Sequence, residues 1–373
     1  WLSHPNILFK GSILLPWLLA YCTKTSALDQ NPYIIIPTLT KSIRDFAHLV
    51  RSTKKLRTIS ETFVPEGSKA NLWPLFNDEW FDSMCGRTAI RHCMSLSIIE
   101  ETLASTPHCN TGLFLMENQP WEMALIHAWR SAGHGRLIGV VNAPIRFWDL
   151  RYFYNDFDRH RPAPNQVAVN SPISRGLLEE AGVPPTKIVD VEALMYQYLN
   201  NTLQVGQSSS ADVLILGDFF TQISESVLNI VLPLIKTKFA HCKIFFKPHP
   251  ANRNSWDYLA ADGIVVTDLP LSKLFATCGT VISPSSSTGA VEAYCANKHV
   301  ISIPDPTTLN FSALKTIKDV QFASNSEELA FALENPINSL SVDNTTFLYF
   351  DESLTKWKKL LWPSYPSDSA NIV

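Results

Sequence analysis

Short apolar segments recur along the chain, and each ends in small or polar residues before an amphipathic stretch begins. The clearest examples are Val213–Phe220, Lys243–Pro248, Thr280–Ser283 and His299–Ile303. Continuous apolar runs of this length are typical of strands that are buried on both faces, whereas apolar residues at helical spacing indicate helices. The alternation of the two patterns predicts an α/β fold with parallel sheets.

The first two hundred residues follow the same alternation. Strands are predicted at Pro32–Leu39, Gly112–Gln119, Arg136–Ile145 and Gln166–Ser171, and helices at Lys41–Lys55, Asp78–Ala104, Pro120–Gly133 and Pro172–Ala181. In the second of these, the helical spacing of the apolar residues Ile90, Met94 and Ile98 indicates a helix. The apolar run Ile7–Cys22 is too short and too interrupted for a membrane span, so we expect a buried strand or helix there.

A polar segment of small residues, Gln204–Asp212, separates two series of predicted strands and helices, and we interpret it as a linker. The division predicts two Rossmann-like domains that face each other across a cleft. The first domain would span residues 1–203 and the second residues 213–350. Residues 351–373 would form a C-terminal helix, predicted at Ser353–Trp362, and a tail.

Composition narrows the class of protein. The chain has 373 residues, of which 46% are hydrophobic and 17% charged, as in a well-buried globular protein. The net charge is −3 and no dense basic run occurs, which disfavours nucleic acid as a partner. The seven cysteines are scattered and form no CxxC pair, which favours free thiols in a reducing cytoplasm.

The most informative stretch is a turn of four hydroxyl residues, Ser285–Thr288, here called the hydroxyl turn. It follows a strand that contains Ser283, and it precedes a predicted helix that contains Glu292. Backbone N–H groups at a helix start and several hydroxyl donors together predict a phosphate site, with Glu292 near a sugar hydroxyl. The alternative is that these residues only cap the helix.

Two further strand ends carry candidate chemistry for the same crevice. Lys247 and His249 end one strand, and the two prolines that flank His249 restrict its backbone, as suits a fixed hydrogen-bond donor or proton carrier. The alternative is a histidine that only shapes a turn. Asp218 ends the first strand after the linker, where it could act as a nucleophile or general base, or could cap the following helix.

A strand end in the first half of the chain carries Glu117, Asn118, Trp121 and Glu122. Carboxylates, amides and an indole together suit recognition of sugar hydroxyl groups. The alternative is a capping box with a packed tryptophan.

A second polar group in this half contains Arg146, Asp149 and Arg151 among aromatic residues. Two arginines could hold a carboxylate in a bidentate manner, or one of them could form a surface ion pair with Asp149. The motifs GxGxxG, GxxxxGK[ST], HExxH and GxSxG are absent from the sequence, and no DxD-like pair suggests a bound metal.

The segments FFKPHP (Phe245–Pro250) and SPSSSTGAVEAYCANKHVISI (Ser283–Ile303) resemble the C-terminal domain of GT-B glycosyltransferases of the sialyltransferase-like and Kdo-transferase kind. Together with ENQPWEMALIHAWR (Glu117–Arg130) and other segments between Asp78 and Ala330, they resemble a bacterial surface-carbohydrate family of O-antigen or capsule biosynthesis. The resemblance implies a GT-B fold whose second domain binds the nucleotide sugar and whose first domain serves the acceptor and the sugar.

The resemblance further implies that His249 and Ser285–Ser287 contact the donor phosphate, and that Asp218 or Glu117 serves the sugar centre. The acidic pair followed by glycine, typical of some sialyltransferases, is not evident here. From the resemblance as a whole, we expect a metal-independent, cofactor-free glycosyltransferase that moves Kdo or a related sugar from a CMP donor to a surface glycan or its lipid-linked precursor. The alternatives are a UDP-sugar transferase or epimerase and a non-catalytic glycan-binding subunit. We expect a cytoplasmic location, with peripheral membrane association left open.

Overall fold

The computed structural model describes residues 8–9, 32–56, 58–146, 149–153, 161–199, 211–239, 241–252, 254–337 and 347–362. Of the predicted linker, residues 204–210 lie outside these described residues, and so does most of the run Ile7–Cys22. Backbone contacts divide the chain into two compact units, of which the first comprises Trp1–Val140 and Asp156–Val167, and the second Val141–Asn155 and Ala168–Val373.

The first half of the chain contains five strands and five helices among the described residues. The strands are β1 (Leu8–Phe9), β2 (Thr111–Leu115), β3 (Arg136–Val141), β4 (Gln166–Val169) and β5 (Ile188–Asp190). The helices are α1 (Pro32–Thr53), α2 (Trp73–Cys85), α3 (Arg87–Ser105), α4 (Pro120–Ser131) and α5 (Pro172–Glu180).

The strand predicted at Pro32–Leu39 is wrong, because these residues form the first turns of helix α1. An unbroken apolar run does not by itself distinguish a buried strand from a helix. Two features favour the helix: a proline at the first helical position, where its missing N–H costs nothing, and a following amphipathic segment that continues the same helix.

The single helix predicted at Asp78–Ala104 is instead two helices, α2 and α3, separated by Gly86. A Cβ atom at Gly86 would lie 2.7 Å from the Cα of Asp82 in the last turn of α2, so the end of this helix requires glycine. The apolar residues at helical spacing do not form the buried face of α3, since Ile90 is 43% exposed and Met94 is 38% exposed. The residues that α3 buries lie on the adjacent face: Ala89, Cys93, Ser97, Ile99 and Leu103.

The first sheet has the order β1-β2-β3-β4-β5, and the pairs β1–β2 and β2–β3 are parallel. Strands β2, β3 and β4 and helices α4 and α5 confirm the predicted elements to within a few residues. Strands β2 and β3 end where the sequence becomes polar. Glu117 and Asn142 therefore lie at their carboxyl ends.

The second half builds a six-stranded sheet. Its strands are β6 (Val213–Leu216), β7 (Ile244–Lys247), β8 (Ile264–Val266), β9 (Thr280–Pro284), β10 (His299–Ile303) and β11 (Gln321–Phe322). Its helices are α6 (Thr221–Val231), α7 (Leu271–Thr277), α8 (Gly289–Cys295), α9 (Ser326–Glu334) and α10 (Thr355–Leu361). The strand order is β11-β10-β9-β6-β7-β8, and every neighbouring pair is parallel.

Strand β6 shows why its sequence is apolar at every position. Val213 and Ile215 belong to a core on one face of the sheet, whereas Leu214 and Leu216 belong to a core on the opposite face. All four side chains are at most 5% exposed. Because helices cover both faces, no position of the strand can be polar. The predicted α/β class with parallel, Rossmann-like sheets is thus confirmed.

The C-terminal helix α10 confirms the helix predicted near the end of the chain. The buried carboxylate of Glu192 caps it by accepting hydrogen bonds from the N–H groups of Lys356, at 2.7 Å, and Trp357, at 3.0 Å. A search of the described residues for a helix with the length and hydropathy of a membrane span finds none.

Candidate functional site

Strand β6 lies in the interior of the second sheet. Strands β7 and β8 lie on one side of it, and β9, β10 and β11 lie on the other. In open parallel sheets, ligands bind at the carboxyl ends of the strands where the strand order reverses. That point lies between the ends of β6 and β9, and these ends carry Asp218 and the hydroxyl turn.

A hydrogen bond joins the two strand ends. Ser286 Oγ donates to Asp218 Oδ2 at 2.6 Å, although the two residues are 68 positions apart in the sequence. Asp218 Oδ1 accepts from the N–H of Phe220 at 2.9 Å, and the Asp218 N–H donates to Ser224 Oγ at 2.8 Å. The carboxylate is 7% exposed, and each oxygen keeps a lone pair that could accept from a ligand.

The hydroxyl turn combines a capping residue with groups that face the edge of the sheet. Ser287 Oγ accepts from the N–H of Gly289 at 3.2 Å, and the N-cap residue Thr288 makes no capping hydrogen bond through its side chain. Ser285 is 8% exposed, while Ser287 and Thr288 are half-buried. Ser283 lies within β9, is fully buried, and donates to the carbonyl of the next residue at 3.0 Å. Its hydroxyl group therefore faces the core.

Two glycines allow the close packing of this edge. A Cβ at Gly289 would lie 2.7 Å from Leu216 Cδ1, so helix α8 begins directly against the end of β6. A Cβ at Gly217 would lie 3.1 Å from Pro248 Cα and 3.3 Å from the nitrogen of His249. The ends of β6 and β7 thus approach so closely that a side chain at Gly217 would force its neighbours to shift.

His249 has one ring nitrogen fixed by the backbone. Its Nδ1 accepts from the N–H of Ala251 at 3.1 Å, so a neutral ring carries its proton on Nε2. The ring is half-buried, and its centroid lies 5.6 Å from that of Phe219. This is the arrangement of a fixed N–H donor. Lys247 is half-buried nearby and donates to the carbonyl of Asp268 at 3.4 Å.

Glu292, in helix α8, accepts a hydrogen bond from the hydroxyl of Tyr198. Burial raises the pKa of the Glu292 carboxyl, although the Tyr198 hydrogen bond acts in the opposite direction. Burial, and then the nearby Glu292 charge, raise the pKa of Tyr198. Sequence reasoning missed Tyr198, because the two residues are 94 positions apart and no local pattern connects them.

In the first compact unit, Glu122 makes the contacts of the capping alternative. It is fully buried, and its two oxygens accept from the N–H groups of Glu117 and Asn118, each at 2.9 Å. Burial raises the pKa of Glu122 to about 7, because desolvation of the charged form outweighs the stabilising N–H donors. This carboxylate shapes the loop before helix α4 and is closed to solvent.

The neighbours of Glu122 in this loop are more accessible. Glu117 is exposed, and Asn118 is half-buried with a left-handed backbone at φ +57°, a conformation that asparagine tolerates better than most residues. Trp121 is half-buried and packs edge-on against Phe114 at 6.4 Å between ring centroids. Of the predicted group, Glu117 therefore presents the carboxylate that solvent can reach.

The predicted arginine group lies in the second compact unit. Arg151 binds Asp149 in a bidentate manner, with Nε to Oδ1 at 2.8 Å and an NH2 group to Oδ2 at 2.7 Å. This is the ion pair of the structural alternative. Arg146 is exposed, and residues 147–148, which separate it from Asp149, lie outside the described residues.

No group of three His, Cys, Asp or Glu side chains with metal-binding geometry occurs among the residues that the structure describes. A small cavity of about 10 Å³ lies within the second unit, which is room for roughly one water molecule. Its lining residues are Pro144, Ile145, Ser171, Ile173, Ser174, Ala313, Phe347 and Leu348. None of them belongs to the carboxyl edge of β6, β7 or β9.

No protein-family model and no curated protein sequence matches the chain. Solved structures do match. MnaA from S. aureus, in a co-structure with UDP, has a TM-score of 0.50 and 12% identity, over 75% of this chain and 84% of that chain. UDP-GlcNAc 2-epimerase from Neisseria meningitidis, bound to UDP-GlcNAc, has a TM-score of 0.48 and 13% identity, over 71% and 78%. The Methanocaldococcus jannaschii UDP-GlcNAc 2-epimerase, in complex with UDP-GlcNAc and UDP, has a TM-score of 0.47 and 15% identity, over 68% and 76%.

At these identities, the likeness to MnaA shows the fold alone, and it agrees with the predicted α/β fold of GT-B-like type. Two of these neighbours are UDP-GlcNAc 2-epimerases, whereas the motifs had indicated sialyltransferases and Kdo transferases.

Proposed function

We propose that this chain is a sugar-processing enzyme that binds a nucleotide sugar at the carboxyl edge of its second sheet. The observation that carries the proposal is the hydrogen bond from Ser286 to Asp218 across the point where the strand order reverses. The parallel ends of β6, β7 and β9 bring a carboxylate, the donor His249 and a hydroxyl-rich turn to one edge. These are the groups that a phosphate ester and a sugar require.

We propose UDP as the nucleotide, which was the alternative in the sequence analysis. Its support is the likeness of fold to MnaA, whose structure was solved with UDP. The narrower prediction, transfer of Kdo from a CMP donor to a surface glycan, remains a proposal that rests on motif resemblance. The two differ in the nucleotide that must bind, so one binding experiment separates them.

The proposed phosphate contacts come from three directions. His249 would donate through Nε2, the hydroxyl turn through Ser287 and Thr288, and Lys247 would contribute positive charge. Donors that are already held in place stabilise negative charge as it develops on a leaving phosphate, which is the usual large contribution to catalysis. None of these groups needs a metal ion or cofactor to act.

The sugar and ribose contacts are proposed for the two carboxylates of the edge. Asp218 keeps acceptor capacity for a sugar hydroxyl, or for the proton of an attacking group, and its hydrogen bonds to Ser286 and Phe220 fix its position. Glu292 would accept from a hydroxyl of the nucleotide sugar. Its raised pKa favours such a contact, because a half-buried carboxyl group gains when a hydroxyl donor replaces lost solvation.

The residues proposed to contact the acceptor are chosen from the first predicted domain and its neighbourhood. That domain division places residues 1–203 before the linker and residues 213–350 after it. Glu117 and Trp121 are proposed to contact an acceptor or sugar, since Glu117 is exposed and Trp121 is half-buried beside it. Arg146 is proposed for a carboxylate on the acceptor. A glycan or glycolipid acceptor, a cytoplasmic location and peripheral membrane association remain predictions from the sequence.

The test is to incubate the protein separately with UDP-GlcNAc, CMP-Kdo and CMP-sialate, and to follow each by phosphorus and proton NMR. Release of UDP with a glycosylated acceptor would identify a transferase, and a new epimer a sugar epimerase. Turnover of a CMP sugar alone would overturn the UDP proposal. Binding of glycans without turnover of any nucleotide sugar would favour the non-catalytic alternative.

The same assay applied to variants tests the site. Asp218→Asn and Ser286→Ala should each weaken nucleotide-sugar binding by about tenfold or more, because a hydrogen bond to a charged group is lost. The matched controls are Asp262→Asn and Ser226→Ala, which change exposed residues of the same unit. Equal affinities in all four variants would place the nucleotide elsewhere.

A further inference from the structure

Two aromatic side chains stand open to solvent at the edge of the candidate site. Phe219 is 57% exposed and Phe220 is 59% exposed, and their rings pack edge to face at 5.2 Å between centroids. Neighbouring exposed phenylalanines are costly in water, so a pair of them beside a polar site is informative where a single one would not be.

The backbone around the pair is held firmly. The Phe220 N–H donates to Asp218 Oδ1 at 2.9 Å, and the Phe220 carbonyl accepts from the N–H of Ser224 in the first turn of helix α6, at 3.3 Å. The preceding Gly217 packs against the backbone of His249. The two rings are therefore a pre-positioned surface and not the tip of a loose loop.

The polar groups next to the two rings indicate which kind of ligand this surface could bind. The Phe219 ring lies 5.6 Å from the His249 ring, and the Asp218 carboxylate, bonded to Ser286, directly precedes Phe219 in the chain. A hexose presents C–H groups on one face, which are attracted to the negative face of an aromatic ring, and hydroxyl groups at its edge. Aromatic rings with a few fixed carboxylate, imidazole and hydroxyl groups complement both features.

From this geometry, we infer that Phe219 and Phe220 form a platform of two nearly perpendicular rings, and that the sugar ring of the nucleotide sugar stacks on the face of one of them and contacts the other, with its hydroxyl groups toward Asp218 and His249. The inference rests on the proposed function and adds the location of the sugar to it. A nucleobase is the other flat ring of such a ligand. The sugar is favoured because the carboxylate and hydroxyl groups beside the rings match a polyol edge.

The test compares two ligands by calorimetry, UDP and UDP-GlcNAc, with the wild-type protein, Phe219→Ala, Phe220→Ala and the double variant. We expect the double variant to lose about tenfold or more in affinity for UDP-GlcNAc, with a change of less than about twofold for UDP. Phe219→Trp should retain the affinity for UDP-GlcNAc. Because both rings are largely exposed, thermal unfolding of these variants should match that of the wild type.

Phe331→Ala is the matched control, since Phe331 is 65% exposed on helix α9 of the same unit. Equal losses for UDP and UDP-GlcNAc in the double variant would assign the rings to the base and overturn the sugar platform. Unchanged affinity for both ligands would overturn any stacking role. If the wild-type protein binds neither UDP nor UDP-GlcNAc, the proposed function fails together with the platform, and this outcome is distinct from the other two.

Discussion

Glu122 allows a quantitative test of how burial and hydrogen bonding compete at a single carboxyl group. The side chain is fully buried, and its pKa rises from the ordinary value of 4.5 to about 7. At 1.36 kcal/mol per pKa unit, this rise corresponds to about 3 kcal/mol. Since the folded state binds the proton more tightly than the unfolded chain does, the contribution favours folding fully below about pH 4.5. It is lost as the pH rises through about 7.

The perturbation is Glu122→Gln, and the measurement is the free energy of unfolding by urea at several pH values between 4.5 and 8. Glutamine cannot reproduce both hydrogen bonds to the N–H groups of Glu117 and Asn118, so a constant loss of stability is expected. The informative quantity is the slope. The wild-type protein should lose about 3 kcal/mol more than the variant across this pH range.

Glu101→Gln serves as the control, because Glu101 is exposed in the same compact unit, and its curve should run parallel to that of the wild type. The reasoning is refuted if the Glu122→Gln curve also runs parallel. A wild-type protein that gains stability relative to the variant as the pH rises would show instead that the N–H donors dominate over burial.

Three further predictions concern packing and hydrogen bonds in the second unit. Gly289→Ala should destabilise the fold by about 1–3 kcal/mol in urea unfolding, because the new methyl group would lie 2.7 Å from Leu216; unchanged stability would show that the contact relaxes freely. Tyr198→Phe should cost about 1–3 kcal/mol, because the half-buried Glu292 loses its donor, and the loss should shrink at low pH, where Glu292 is protonated; a loss independent of pH would contradict this role. Glu192→Gln should cost about 0.5–2 kcal/mol and increase amide exchange in helix α10 selectively; uniform exchange would exclude the capping role.

Local patterns were sufficient for strands β6, β7, β9 and β10 of the second sheet, whereas the two-residue strand β11 was not predicted. Strand β6 is apolar at every position because both of its faces are covered, so its residues alone indicate a buried strand. The same patterns misassigned Pro32–Leu39, where an apolar run without a clear period became helix α1. They also missed the break at Gly86, where a side chain would collide with Asp82 in the last turn of helix α2.

The candidate site also contains some features that local sequence predicts and others that depend on the tertiary structure. Strand ends followed by His249 and by the hydroxyl turn are local features, and parallel strands bring their carboxyl ends to one edge, so the sequence by itself determined that polar groups gather there. The order of the strands decided which of them meet. Ser286 reaches Asp218 because β9 pairs with β6, and Tyr198 reaches Glu292 although 94 positions separate them. Strand pairing follows from how whole elements cover one another's apolar faces, and this is a property of the assembled tertiary structure that no short segment contains.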